Sequence, residues 1–217
     1  MKLYTFFRSS TSYRLRIALA WKGIAYEAVY TSLPDMQHKD PAFLRLNPQG
    51  LVPALVSDEG GVYTQSMAMI EWLDERYPEP PLMPRDPGEK WYVRAVSQIV
   101  ACEMHPLNNV RVLKYLRSAG GLDEARVNGD WYAHWIAEGF GGLEAFLSSH
   151  RRCGEYCLGG RVSMADVCLV PQVFNAQRFG CDLKAYPTVM GIFERCMALE
   201  AFAASHPSKQ ADAVRSL

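Results

Sequence analysis

Over the first eighty residues the spacing of apolar and polar positions switches repeatedly between a period of two and a helical period. "KLYTF" reads as a strand. From Thr11 to Lys22, Tyr13, Ile17 and Trp21 stand at i, i+4 and i+8, a helical stripe that Gly23 closes as a C-cap. "AYEAVY" alternates as a second strand, and "PAFLRLNP" is a short helix bounded by prolines. "PALVS" and "GVYT" flank the turn "DEGG" as a hairpin, and "SMAMIEWLDERY" is a helix that Pro78 ends. The expected order is β-α-β-α-β-β-α. After the proline-rich stretch "PEPPLMPRDPG" only helical patterns follow: Glu89 to Arg117, about Asn128 to Ser148, Ser163 to about Phe179, and Pro187 to about Ala203. His105-Pro106 lies inside the first of these and is expected to kink it.

This order is one that a thioredoxin-like fold uses, in which a βαβ unit supplies parallel strands and the hairpin adds antiparallel ones to a single mixed sheet. The expected organisation is therefore an α/β thioredoxin-like domain over residues 1–80, a linker over 81–88, and an all-α helical bundle over 89–217.

Composition narrows the chemistry. Of the 217 residues, 49% are hydrophobic and 21% charged, the profile of an ordinary globular protein large enough to bury a core. Lys plus Arg (23) balances Asp plus Glu (23), so nothing in the overall charge points to nucleic acid or an anionic membrane, and any anion site must be local. No apolar run is long enough for a membrane span and "MKLYTFFRSS" lacks the apolar core of a signal peptide, so the expected location is the cytoplasm. The six cysteines all lie in the second half; "CGEYC" fits neither a redox CxxC nor a zinc half-site, and they read as structural thiols. The five His residues show no metal-ligand spacing, so no metal is expected.

Three local features of the first half point to one small ligand. Ser9, Ser10 and Thr11 gather hydroxyls at the start of a helix, where free N–H groups and the helix dipole favour an anion; an N-cap alone needs one hydroxyl. In "GLVPAL", a thioredoxin-like sheet would make the Val52–Pro53 bond cis, with the backbone of Val52 turned outward to pair with a peptide-like ligand. In "TQSMAMI", Gln65 and Ser66 open a helix and could hold a carboxylate on its first turn. Each has a plainer reading, since Pro53 could merely start an edge strand and Gln65-Ser66 merely cap a helix. "SMADVCLV" sets Ser163 three residues before Asp166, a capping-box spacing that belongs to folding.

These residues resemble the cytosolic glutathione transferases. "RSSTSYRLRIAL" is similar to the signature "SSCxWRVRIAL" of the zeta class, which includes maleylacetoacetate and maleylpyruvate isomerases. "NPQGLVPAL", "QSMAMIEWLDERYP", "HPLNNVRVLKYL", "MADVCLVPQVFNAQRF" and "YPTV" match the family pattern in order along nearly the whole chain. At the position that bears on the chemistry, Thr11 stands where the signature has Cys, so no protein thiol there can be essential.

The resemblance implies a glutathione site with Ser9 nearest the sulfur and Ser10 and Thr11 in support, Val52 and Pro53 at the cysteinyl backbone, and Gln65 and Ser66 on the γ-glutamyl group. His38, Gln49, His105, Asn109 and Arg111 would line the glycyl side and the mouth. By residue type alone Gln49 and His38 read as ordinary surface positions. A free thiol with a pKa of about 8.5 is roughly a tenth ionised near neutrality, and a hydroxyl donor at a helix N-terminus would raise that fraction. The implied activity is a cis-trans isomerisation of maleyl keto acids in aromatic catabolism, in which a thiolate adds to the double bond, the resulting single bond rotates, and elimination releases the trans product. The substrate is a dianion, and Arg8, Arg111 and Arg178 are the cations chosen for its carboxylates. The implied protein is a homodimer. Two rival readings are a general glutathione transferase with an apolar electrophile pocket, which would not call for three arginines, and a non-enzymatic binding module of the same fold, which would not need the hydroxyls or the Gln-Ser pair.

Overall fold

The computed structural model describes residues 1–213, which separate into two compact units. One comprises Met1–Leu82 together with the described residues from Ala198 onward, and the other comprises Met83–Met197.

In the first unit the strands β1 (Lys2–Thr5), β2 (Glu27–Tyr30), β3 (Ala54–Val56) and β4 (Val62–Thr64) form, among the described residues, one sheet of order β2-β1-β3-β4. β1 and β2 are parallel because helix α1 (Ser10–Trp21) carries the chain back between them, whereas β3 pairs antiparallel with both β1 and β4. The hairpin turn closes through Ser57 N–H to Gly61 O at 2.9 Å, with Gly60 at φ +84° supplying the left-handed step that a side chain would resist. Along β1 the faces alternate: Leu3 and Thr5 are buried towards α1, while Tyr4 meets the ring of Phe43 edge-on from the short helix α2 (Pro41–Leu46). Helix α3 (Ser66–Arg76) packs beside α1, burying Met69, Ile70 and Leu73. The expected β-α-β-α-β-β-α order is the observed one, with a 3₁₀ turn at Gln37–Lys39 before α2.

The apolar stripe expected on α1 understates its burial. Residues Ser12 through Leu19 are all buried, including Arg14 and Arg16 at 1% exposure each. The side away from the sheet is covered by the end of the chain. Helix α10 (Glu200–Ala204) sets Phe202 against Trp21, with ring centroids 6.4 Å apart, and its carbonyl accepts from the Tyr13 hydroxyl at 3.4 Å. The helical bundle expected over 89–217 therefore stops short: residues from Ala198 group with the first unit, because Phe202 completes the core around α1. Lys22, at the foot of α1, is buried and donates to Asp74 at 2.8 Å, Tyr77 O at 2.7 Å and Pro80 O at 3.0 Å, fastening the end of α3.

The second unit is helical. It contains α4 (Pro87–Gln98), a wider π-helical continuation (Ile99–Met104), α5 (Val110–Ser118), the single turn α6 (Glu124–Arg126), a π segment (Val127–Ala133), α7 (His134–Ser149), α8 (Met164–Arg178) and α9 (Pro187–Met197). Two expected helices differ. The pattern from Glu89 to Arg117 does not kink at His105-Pro106 but breaks, since the chain turns through residues 105–109 and restarts at Val110. The pattern from Pro187 to Ala203 also splits, at residues 198–199. The linker of 81–88 is shorter than expected, because Asp86 caps α4 by accepting from Glu89 N–H and Pro87 occupies its first position.

Helix α8 runs through the middle of this unit, buried from Met164 to Val173. Its start is fixed by Asp166, fully buried, which accepts from Ser163 N–H at 2.8 Å, Ser163 Oγ at 2.9 Å and Cys157 N–H at 2.8 Å. Burial raises the Asp166 pKa, and these donors oppose the rise. The spacing read as a capping box is one, and it also ties the Cys157 loop to the helix. Glu144 of α7 caps α9 in the same manner, accepting from Thr188 N–H and Val189 N–H at 2.9 Å each. Cys157, Cys168 and Cys196 are fully buried thiols, and burial is the leading cause of the raised pKa values of Cys157 and Cys196.

Candidate active site

The turn between β1 and α1 sets the first group of residues. Ser9 is the N-cap of α1, and its Oγ accepts from Ser12 N–H at 3.2 Å. The same oxygen lies 2.9 Å from Thr11 Oγ1, and the Thr11 hydroxyl donates to Val52 O at 3.0 Å. Thr11 has one proton and spends it on Val52, so the Ser9 hydroxyl is the donor in the Ser9–Thr11 contact. Capping and proton donation thus coexist on one side chain: a lone pair of Ser9 Oγ serves the Ser12 N–H while its proton rests on Thr11 Oγ1 of the same first turn. Ser10, at 4% exposure, is the most enclosed of the three hydroxyls. Arg8 is exposed, with its guanidinium 4.9 Å over the Phe7 ring.

Val52 precedes Pro53, and the bond between them is cis, as the sequence led one to expect. Asn47 holds this loop, donating to Leu51 O at 2.7 Å and accepting from Gln49 N–H at 3.1 Å. Gly50 has φ +60°, and a Cβ there would come within 2.6 Å of Lys39 Nζ and 3.0 Å of His38 O, so only glycine suits this close approach. His38, half-buried in the 3₁₀ turn, therefore lies alongside the loop that carries Gln49 and Val52, and Lys39 Nζ reaches Gln49 O at 3.4 Å.

Gln65 stands just before α3 with φ +68°, a left-handed conformation rare for a residue with a side chain. It makes no cap hydrogen bond; its Nε2 instead donates to Gln49 Oε1 at 2.8 Å. Ser66 is buried, and its Oγ accepts from Arg14 Nη1 at 3.5 Å. Within the first unit the structure thus brings Gln49 to Gln65 and Ser9 and Thr11 to Val52. Sequence reasoning passed over Arg14; the signal was a charged residue set among apolar ones in "YRLRIAL".

The remaining expected residues lie in the second unit. His105 follows the π-helical segment, and Asn109 caps α5 by accepting from Arg111 N–H at 3.1 Å. Arg111 is exposed. The turn carrying His105 and Asn109 is held by residues 131–132: Trp131 Nε1 donates to Leu107 O at 2.9 Å, and Asn108 Nδ2 donates to Tyr132 O at 3.3 Å. Tyr132 in turn stacks on Phe179 with centroids 3.9 Å apart, and Arg178 covers the other ring partner, 4.5 Å from the Phe179 centroid. Burial raises the Tyr132 pKa and Arg178 opposes that rise. The turn of His105 and Asn109 and the end of α8 with Arg178 therefore share one neighbourhood, a link that "HPLNN" and "NAQRF" could not reveal because it runs through Trp131 and Tyr132.

Residues 8–76 match the family model of the glutathione S-transferase N-terminal domain. A maleylpyruvate isomerase of a Ralstonia species is 47% identical over 213 residues, covering 98% of this chain and 99% of its own. Among solved structures, a holo maleyl pyruvate isomerase described as a bacterial zeta-class glutathione S-transferase superposes with a TM-score of 0.94 at 47% identity, covering 98% of this chain and 99% of that one. A maleylacetoacetate isomerase of Methylobacterium extorquens, solved with malonate and glutathione bound, gives a TM-score of 0.95 at 40% identity with the same coverage. Identity at this level across nearly the full length places the sheet, the hydroxyl turn and the helical unit in one lineage: the chain belongs to the glutathione S-transferase family, within its zeta class.

Proposed function

We propose that the protein is a glutathione-dependent cis-trans isomerase of maleyl keto acids, maleylacetoacetate or maleylpyruvate. The observation that carries this reading is the Ser9–Thr11–Val52 chain, which holds the Ser9 hydroxyl at a helix N-terminus beside the Val52–Pro53 loop, its proton resting on Thr11 Oγ1 until a sulfur replaces that acceptor. The donor set suits glutathione: hydroxyls for a sulfur, the Val52 carbonyl for an amide, and Gln65 with Ser66 for a carboxylate at the start of α3. When bound, glutathione supplies the thiolate that adds to the double bond and leaves it again.

The roles of this chain's residues follow from their chemistry. Ser9 stabilises negative charge on the sulfur by hydrogen bonding, and it is no nucleophile, because no His stands within its hydrogen bonds to act as base. Ser10 and Thr11 support it, Thr11 by holding the Ser9 proton until the sulfur takes its place as acceptor. Val52 and Pro53 receive the peptide backbone, and Gln49 steadies the side chain of Gln65. His38, His105 and Asn109 complete the binding groups. Arg8, Arg111 and Arg178 are assigned to the substrate carboxylates, since a dianion needs cations and a conjugating transferase acting on apolar electrophiles does not.

The protein also acts as a homodimer of the cytoplasm in this reading. Exposed apolar side chains available to such an interface include Val62 on the edge strand β4, and Trp91 on α4, 58% exposed beside a cavity of about 360 Å³ that Lys90, Arg94 and Gln98 help to line. Sedimentation returning the mass of one chain would remove the dimer. Among the described residues no helix is long and apolar enough to cross a membrane.

The activity is tested by following the absorbance of both maleyl substrates with and without glutathione. Isomerisation of at least one, dependent on glutathione, is expected. In Arg8→Ala and Arg111→Ala the loss should fall mainly on substrate KM. Conjugation of apolar electrophiles without isomerisation would favour the transferase reading.

A further inference from the structure

The hydroxyl turn is held by two side chains of opposite charge, Arg16 and Asp212, the acidic one far along the chain. Phe7 N–H donates to Asp212 Oδ2 at 2.9 Å across 205 residues of sequence. Asp212 is 8% and Phe7 6% exposed. Arg16, buried inside α1, donates to Phe7 O at 3.1 Å, Phe6 O at 3.4 Å, Thr5 Oγ1 at 3.3 Å and Ser205 O at 3.3 Å. Ser9 N–H closes the turn onto Phe6 O at 3.0 Å. The backbone groups that the turn presents inward, Phe6 O, Phe7 N–H and Phe7 O, are thus all met by Arg16 or Asp212.

We propose that Asp212 is a positioning residue: by holding the Phe7 N–H it fixes the peptide planes that present Arg8 and the Ser9 hydroxyl. A β-turn N–H removed from water and left without an acceptor is driven to rotate towards another partner, and rotation at Phe7 displaces the next two residues. Arg16 cannot do this work, since a guanidinium has donors only and the Phe7 N–H needs an acceptor. Burial lowers the Arg16 pKa to about 10, which still leaves it charged at neutrality, so Asp212 faces a cation; Tyr13, Tyr26 and Tyr30 are the other titratable groups around it. Arg8 and Ser9 then owe their placement to residues from Phe202 to Ala213 as much as to the turn's own sequence, since Ala213 packs against the Phe6–Phe7 cluster. The effect on chemistry rests on the reading of Ser9 as the thiolate donor.

Three variants separate position from charge. Asp212→Glu keeps the charge opposite Arg16 but moves the carboxylate by one methylene; Asp212→Asn keeps an acceptor in place without the charge; Asp212→Ala removes both. The measurements are hydrogen exchange of the segment 6–12 in the free protein, the ultraviolet thiolate absorbance of its glutathione complex, and kcat with KM. Asp212→Glu and Asp212→Ala should speed exchange of the segment by about tenfold, lower the thiolate fraction, lower kcat by roughly five- to twentyfold through Ser9, and raise substrate KM by about three- to tenfold through Arg8. Asp212→Asn should stay within about threefold of the unaltered protein on each measure. Should Asp212→Ala fail to fold, Asp212→Glu and Asp212→Asn decide the matter. A folded Asp212→Glu protein with unaltered exchange and kcat would overturn the proposal, and if Asp212→Asn then carried the loss the role would be one of charge alone. If instead Ser9→Ala leaves the thiolate absorbance unchanged, the reading of Ser9 fails, and the exchange rates alone judge Asp212.

Discussion

The Thr11 hydroxyl donates to the carbonyl of Val52 at 3.0 Å, and this one bond ties the first turn of α1 to the loop before the cis proline. It also dictates which way the Ser9 proton points, since Thr11 can then only accept from Ser9. A cysteine at position 11 would be a far weaker donor to that carbonyl, so threonine here fastens the loop through its own hydroxyl.

Ser9→Ala should lower turnover at neutral pH by about one to three orders of magnitude with glutathione affinity within about threefold, because one preorganised donor is lost and binding contacts remain. Raising the pH should recover part of the loss, as solution ionisation of the thiol replaces the missing stabilisation. Thr11→Val keeps the shape and removes the bond to Val52; it should cost about 1 kcal/mol of stability in denaturant titration and less turnover than Ser9→Ala. Steady-state rates across pH check the order, and a Ser10→Ala protein that loses more than Ser9→Ala would move the donor by one residue.

The Gln65→Ala, Ser66→Ala double variant should weaken glutathione binding by roughly ten- to a hundredfold in calorimetric titration, since it removes both side chains at the N-terminus of α3. Gln49→Ala should act in the same direction and more weakly, because Gln49 reaches the ligand group through the Gln65 amide. A folded double variant with unaltered affinity would take this end of the site away.

His206 gives the first unit a pH response. Its Nδ1 accepts from Ser208 N–H at 3.2 Å, and its pKa is lowered by burial and by the charges of Arg16 and Lys209. The folded state therefore binds fewer protons than the unfolded one between the lowered value and about 6.5, and stability falls as pH drops through that window. His206→Asn, which retains a capping acceptor without titrating there, should flatten the dependence of the melting temperature on pH below neutrality. A slope equal to that of the unaltered protein would place the response elsewhere.

Asp166→Ala should cost about 3 kcal/mol or more, because it orphans two buried N–H groups and the Ser163 hydroxyl at the start of α8. Denaturant midpoints measure this loss. Glutathione affinity of the folded fraction should be unchanged, since Asp166 serves the second unit's core and no proposed ligand group.

How far the sequence reaches is visible in particular residues. The alternation in "KLYTF" and "AYEAVY", the punctuation by Gly23 and Pro78, and the turn "DEGG" carried the β-α-β-α-β-β-α order, since each reports a local backbone preference that packing did not override. The Ser163-to-Asp166 spacing was legible for the same reason, both partners lying within one helical turn. At His105-Pro106 the proline marked the place but not that the helix stops there, and the split at residues 198–199 was not marked at all, because the periodicity of side chains continues across both places and only the lost backbone hydrogen bonds reveal the stop.

Local chemistry was therefore the sequence's own contribution: hydroxyls at a helix start, a Val-Pro pair, a Gln-Ser pair, and the motifs that mark the family. Which of them meet was decided by the tertiary structure alone. Thr11 finds Val52 across 41 residues, Gln65 finds Gln49 across 16, and Asp212 finds Phe7 across 205, none of which any periodicity encodes. Periodicity records which face of an element is apolar, whereas a hydrogen bond between distant residues depends on how the elements are docked. Two arginines inside α1 show the same division: "YRLRIAL" displays their charge, but only the docking of β1, α3 and the chain's end around that helix gives them carbonyls, a hydroxyl and a carboxylate to face, and so makes their burial tolerable.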